Sequence, residues 1–311
     1  MLFKELRRTI RCRAAVGLPA LLRGLPEPAG RGFCIAIGRA AHFAVGRDRH
    51  LARKNLARVY PEWPADRIRR SAKGVFEELG RSVYDFIRYP DLSEEERDQL
   101  VAIEGLDHLK TALAGGRGAI LVTGHLGSWE IMGAHLTRIG LPLRSLARPL
   151  REPRLDRQLN RHRRNLGSET LPTDRPLLAA RHLRRGGLLG VLVDQRVREG
   201  GLEVEFLGQP TLFADGPARL ALAAGAPVVP AVIRREGDRR HRILVDPPLP
   251  MPSRKETGAV QRLTQAMAHA LDRRIREAPT QWMWIHPRWE PVPPEPGARS
   301  SRRPVAAEAV R

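Results

Sequence analysis

The stretch GAILVTGHLGSWEIMGAHL, residues 118–136, decides how this chain is read. Four apolar residues, Ala119 to Val122, end at Thr123-Gly124, and an apolar-periodic segment resumes at residue 130. A short β-branched run, a glycine turn and a helical period together predict a strand feeding a helix. The turn carries His125, and Glu130 stands where the helix begins. On one continuous helix residues five apart point about 140° away from each other. They can approach only if His125 lies on the turn and Glu130 in the first helical turn, which Gly124 and Gly127 permit. A carboxylate near a helix N-terminus is also electrostatically favoured.

The same texture continues outward. Strands are predicted at 119–123, 143–147, 188–193, 228–234 and 242–245, with helices at 130–139, 153–166, 176–185, 216–224 and 257–277. Strand and helix alternating at this spacing give an α/β fold: a mixed, largely parallel sheet flanked by helices. Ligands in such sheets bind beyond the carboxyl ends of the strands, and His125 lies just past one. Residues 1–100 read as a mostly helical N-terminal region, residues 101–290 as the α/β core. The Pro-, Ala- and Arg-rich tail 291–311 has no apolar period and is expected to be disordered.

Composition narrows the partners. Among 311 residues, 54 are Lys or Arg against 34 Asp or Glu, a net charge of +20. Only five of the basic residues are lysines. Biased coding accounts for the arginine preference better than for the net charge, which fits an anionic partner: nucleic acid or a phosphate-bearing membrane surface. Nucleic acid is disfavoured because aromatics make up only 5% and the arginines are spread along the whole chain. The sequence has no phosphate-binding G-x-x-x-x-G-K-[ST] and no dinucleotide fingerprint. Its two cysteines, Cys12 and Cys34, suit neither a disulfide framework nor a cysteine-built zinc site. The ten histidines show no H-x3-H or H-E-x-x-H pairing, so no metal is implied.

The longest run without a charged residue is 220–233, shorter than the roughly 18–20 residues of a membrane span. The N-terminus mixes apolar residues with Arg11, Arg13, Arg23, Arg31 and Arg39. It can lie in a membrane interface or pack as an ordinary amphipathic helix.

A carboxylate on one imidazole nitrogen fixes the tautomer and raises the basicity of the other. The free nitrogen can then take a proton from a hydroxyl that attacks an acyl carbonyl. The same residues also fit a loop histidine and a helix-capping glutamate with structural roles only. The tryptophans of QWMWIHPRW, residues 281–289, fit core packing better than a membrane interface.

Several segments in order resemble one family, the bacterial lipid A biosynthesis acyltransferases of the H-x4-D/E type. These are GHLGSWE (124–130), LARKNLARVYPEWPADRIRR (51–70), LARPLREPRLDRQLNRHRRNLG (146–167), GGLLGVLVDQRVREGGLEVEFLGQP (186–210), GPARLALAAGAPVVPAVIRR (216–235) and QWMWIHPRW. The resemblance spans about 45–290 and implies roles residue by residue. His125 would be the general base and Glu130 its orienting partner. Arg148, Asp194 and Gln195 would lie near the site, binding substrate, supporting an oxyanion or, for Arg148 and Asp194, holding each other. Arg161 and Arg164, with Arg163, would contact phosphates or form an exposed helix face. The donor implied is acyl carrier protein or acyl-coenzyme A, with no cofactor. The implied acceptor is an anionic membrane lipid, first a lipid A precursor, alternatively a lysophospholipid, an aminolipid or a mannosylated phosphatidylinositol. The implied location is the cytoplasmic face of the inner membrane, held peripherally or by a shallow anchor.

Overall fold

The computed structural model describes residues 17–150, 152–197 and 201–289. The expected tail and the first sixteen residues of the N-terminal region lie outside them.

After helical residues 17–23 come three longer helices: α1 (Glu27–Ala44), α2 (Gly46–Val59) and α3 (Ala65–Arg88). Pro26 and Pro64 precede α1 and α3, where a missing N–H costs nothing. α1 packs on α3 almost backbone to backbone. A Cβ on Gly38 would strike the Phe76 carbonyl, and one on Gly80 the Cys34 carbonyl.

After the short helix α4 (Glu94–Leu100) the chain enters the α/β layers. In order these are β1 (Val101–Glu104), α5 (Leu106–Ala114), β2 (Ala119–Thr123), α6 (Trp129–Arg138), β3 (Leu143–Ala147), α7 (Pro153–Asn165), β4 (Glu169–Pro172), α8 (Pro176–Arg184) and β5 (Leu188–Leu192). There follow the hairpin β6 (Leu202–Phe206) and β7 (Gln209–Phe213), then α9 (Gly216–Ala224), β8 (Val228–Glu236), β9 (Arg240–Val245) and α10 (Ala259–Glu277). The seven-stranded sheet has the order β1-β9-β8-β2-β5-β3-β4. All its pairings are parallel except β8 with β9, so the expected mixed, largely parallel sheet is present.

β2 is buried along its whole length. Ile120 and Val122 face one core with Val191, Val228, Trp282 and Trp284, while Ala119 and Leu121 face the other with Ile131, Leu143 and Val229. The two-residue period of a strand thus splits one apolar run between two layers. The first core also takes Leu56 of α2 and Val75 of α3, so the N-terminal helices close directly over the sheet.

A buried ionic cluster fastens them there. Asp85 of α3 receives Arg31 at 3.0 Å, Arg235 of β8 at 2.6 Å and His241 of β9 at 3.2 Å. Arg235 also pairs with Glu78. Burial pushes the Asp85 carboxyl up, but the His241 hydrogen bond and the two guanidinium groups outweigh it and hold the group below its usual range. Asp85→Ala leaves Arg235 buried without its full charge balance and is expected to cost about 3–5 kcal/mol in urea unfolding. The sign with pH follows from the depressed value. This contribution is present above the unfolded carboxylate pKa, about 4, and is lost as pH falls toward the folded one. In the variant that part of the acid sensitivity should vanish.

Candidate active site

β2 and β5 are parallel neighbours with Thr123 opposite Leu192. Two residues beyond each lie His125 and Asp194, so the register alone sets them side by side at the carboxyl end of the sheet. Asp194 Oδ1 lies 2.7 Å from His125 Nδ1, and Oδ2 accepts the His125 backbone N–H at 2.6 Å. Oδ2 also accepts the Trp282 indole N–H at 2.8 Å. A carboxylate can only accept, so Nδ1 carries the proton and Nε2 keeps its lone pair. Burial drives the Asp194 carboxyl up, yet His125 and these hydrogen bonds prevail and bring it down to about 2. For His125 burial pulls the imidazole down. The Asp194 charge and hydrogen bond, with a smaller push from Glu130, more than reverse this and raise it above the ordinary value.

Glycine makes the turn possible in two places. A Cβ on Gly124 would come within 2.9 Å of Asp194 Oδ2. Gly127 sits at φ +57°, where a Cβ would strike the Ile233 carbonyl. Gly127→Ala therefore combines left-handed strain with a backbone clash, and a loss of about 2–4 kcal/mol is expected from its melting curve. The strand-like segment after α10 completes the frame. Met283 N–H donates to the His125 carbonyl at 3.2 Å, and Gly127 N–H to the Gln281 carbonyl at 3.0 Å.

The imidazole lines a small pocket between α3 and this segment, formed in part by Val75, Leu79, Ser82 and Met283. Gln195 places its amide nitrogen 3.1 Å from His125 Nε2, at the nitrogen a hydroxyl would use. Trp129 meets the imidazole edge-on at 4.9 Å and lines both this pocket and a second one. The second is mostly apolar and runs between α6, β3 and β5, past Gly133, Leu143 and Gly190.

Glu130 does not hold the imidazole. Its carboxylate is taken by Arg163 of α7 in a two-pronged pair, Nε at 2.9 Å and Nη2 at 2.5 Å. The physical reason is the helix start: Glu130 is the second residue of α6, turned toward α7, while β5 delivers Asp194 straight onto Nδ1. Asp194 therefore takes the partnership expected of Glu130, and Arg148 does not pair with it. Arg148 is exposed beyond β3, in a groove it shares with Arg163 and Arg164; Arg161 is exposed elsewhere on α7.

Two supporting residues escaped the sequence reading, and a third, Trp282, was read only for its packing. Asn55 of α2 is buried and donates to the Trp284 and His286 carbonyls at 2.8 and 2.9 Å. Arg288 is buried with its guanidinium 4.0 Å from the Phe213 ring, and it donates to the Gln195 carbonyl at 2.6 Å. Burial lowers that guanidinium to about 10. Trp282 packs in the core as expected, but its N–H also anchors Asp194. An asparagine amid α2's helical period was the one visible signal among them.

A carboxylate-buttressed imidazole at the strand ends of an α/β sheet, beside two largely apolar pockets, has the geometry to take a proton from a hydroxyl. The family follows from comparison with known proteins: the chain belongs to the bacterial lipid A biosynthesis acyltransferases, whose family model matches residues 2–290. It is an acyltransferase. A phosphatidylinositol mannoside acyltransferase of Mycolicibacterium smegmatis is 30% identical over 276 residues, covering 86% of this chain and 88% of that one. One from Mycobacterium tuberculosis is 32% identical over 275 residues, covering 86% and 85%. A lipid A biosynthesis acyltransferase of Haemophilus influenzae is 22% identical over 244 residues, covering 77% and 74%.

Proposed function

We propose that the chain moves a fatty acyl group from a thioester to a hydroxyl of a mannosylated phosphatidylinositol or a closely similar glycophospholipid. The observation that carries the reaction is His125, with Nδ1 committed to Asp194 and Nε2 facing a cavity. The acceptor hydroxyl displaces the Gln195 amide and gives its proton to Nε2 as its oxygen attacks the thioester carbonyl. The new C–O bond forms, the tetrahedral centre collapses, the C–S bond breaks, and the proton passes from the imidazolium to the departing sulfur. The donor is acyl carrier protein or acyl-coenzyme A. Gln195, Arg148, Arg161 and Arg164 are the proposed substrate contacts, the arginines meeting phosphates.

The acceptor rests on the relatives. Those named for mannosylated phosphatidylinositol share 30% and 32% identity over most of the chain, against 22% for the lipid A enzyme. A lipid A precursor is the second reading, favoured by the family match itself. We place the protein on the cytoplasmic face of the inner membrane. Among the described residues no helix is long and apolar enough to cross a membrane. The test offers both acceptors to the purified protein with radiolabelled acyl-coenzyme A and acyl carrier protein. Acylated mannosylated phosphatidylinositol is the expected product; transfer only to the lipid A precursor would overturn the acceptor, and transfer to neither would overturn the reaction.

A further inference from the structure

α7 turns a row of arginines to solvent. Arg154, Arg157, Arg161 and Arg164 are all exposed, fall within about 80° of the helix circumference and span about 15 Å along its axis. The opposite side, with Leu155, Leu159 and His162, is half-buried, and His162 Nε2 meets the Phe86 carbonyl at 2.9 Å. A charged outer face is ordinary; one of a single sign is not. Among the described residues none of these four guanidinium groups has an ion pair. On α3 and α10 such charges are matched: Arg69 and Arg70 with Asp66, Arg273 and Arg274 with Asp246, Arg276 with Asp272. The carboxylates beside the row are engaged locally, Glu152 accepting the Arg154 N–H and Asp156 accepting from Leu150 and Asn160. Like charges three and four residues apart destabilise a helix, and Arg154 also stands at its positive end. The row therefore costs stability that a partner of opposite charge would offset.

β3 runs parallel to β5 and β2, so α7, which follows it, begins at the carboxyl end of the sheet, where His125 lies. A groove between α7 and β4, edged by Arg148 and Arg164, shares Ala147, Arg163 and Ser168 with the second pocket, and that pocket shares Trp129 with the first. Adjoining hollows thus lead from α7 to the imidazole.

A carrier protein delivers its thioester on a flexible, phosphate-linked arm while its folded body stays outside. The groove with Arg148 and Arg164 suits the arm of either donor. Arg154 and Arg157 do not line it, which favours a donor with a charged body beyond that arm. The arc has neither the apolar side that inserts among lipids nor aromatic rings that stack on bases. We infer that the arginine row of α7 docks the acidic body of an acyl carrier protein, carboxylates at helical spacing on the carrier meeting Arg154, Arg157 and Arg161. The inference rests on the thioester-donor reading of the site, but docking is measured without acyl transfer, so the two can fail separately.

The full chain is titrated against fluorescently labelled holo-acyl carrier protein, with binding read by anisotropy at low and high salt. Arg154→Glu/Arg157→Glu should weaken binding by about tenfold or more and flatten its salt dependence, because reversing these charges turns attraction into repulsion. Arg181→Glu/Arg184→Glu reverses as many exposed charges on α8, which packs on the other core, and should change binding by no more than about twofold. With acyl-coenzyme A as donor the α7 variant should keep the wild-type KM. A KM raised as much as the carrier affinity is lowered would give the row to coenzyme A phosphates and overturn the inference. Absence of carrier binding by the wild type, or equal weakening in both variants, would overturn it too. So would an α7 variant that loses phosphatidylglycerol vesicles but keeps the carrier. The four side chains pack against nothing in the core, so the α7 variant should melt at or above the wild-type temperature. If the glutamates disturb the helix, Arg154→Gln/Arg157→Gln still decides, with a smaller loss in the same direction.

Discussion

His125→Ala is expected to lower acyl transfer by about 10²–10⁴-fold, the range of a positioned general base, while the fold persists. The fold should persist because the imidazole is a partner in the site rather than a core filler; its side chain is only 15% exposed, yet it faces a cavity on the Nε2 side. What the substitution leaves behind is Asp194 with its Trp282 and backbone hydrogen bonds still made. Some stability is lost with the imidazole partner, so the melting curve is recorded beside turnover of a radiolabelled donor. Wild-type turnover in the folded variant would end the base mechanism. The wild-type pH profile supplies a second check. The lone pair is needed, and Asp194 holds the imidazole above its ordinary value. The acid limb of kcat/KM therefore falls at a pH higher than an unperturbed histidine, about 6.5, would give.

The parts of this site legible in the sequence are those set by local pattern. The run at 119–123 and the glycines after it could signal only a strand and a tight turn, and His125 is fixed on that turn by them. The position of Asp194 at a strand end was legible in the same way. Its meeting with His125 depends on which strands are neighbours and in what register, and no local period encodes that. β2 could have paired with β3; instead β5 lies between them. Glu130 was matched to His125 by nearness along the chain, although α7, thirty residues on, supplies the cation that claims it. The short strands β1 and β4 and the hairpin β6–β7 also went unread. β1 and β4 have four residues each, too brief for alternation to register, whereas LEVEF at 202–206 does alternate, and what obscured the hairpin is its turn, where Leu207 adopts φ +56°, which a turn signature would assign to glycine or asparagine. Arg288 looks like one more surface arginine in a chain of +20 charge, and only its burial beside Phe213 distinguishes it.

Asp194→Asn is expected to cost nearly as much as removing the imidazole, because the carboxamide keeps the shape but removes the charge that fixes the tautomer and stabilises the imidazolium formed during transfer. The double variant His125→Ala/Asp194→Asn should then be scarcely worse than His125→Ala, since members of one catalytic unit are not additive. Glu130 provides the contrast. It touches Arg163 rather than His125, yet its charge also raises the imidazole. Glu130→Gln should therefore keep most of the base function, move the acid limb of kcat/KM slightly to lower pH, and lower the melting temperature through the weakened Arg163 pair. Residual activity in Asp194→Asn, if measurable, should move its acid limb to lower pH by more, because the closer charge is gone. Measuring transfer for both single variants and for each combined with His125→Ala separates the roles. Losses from Asp194→Asn that multiply fully with those from His125→Ala would show that Asp194 acts elsewhere. A Glu130→Gln loss as large as that of His125→Ala, with its melting point unchanged, would return the orienting role to Glu130, whose Arg163 pair would then have to open when substrate binds.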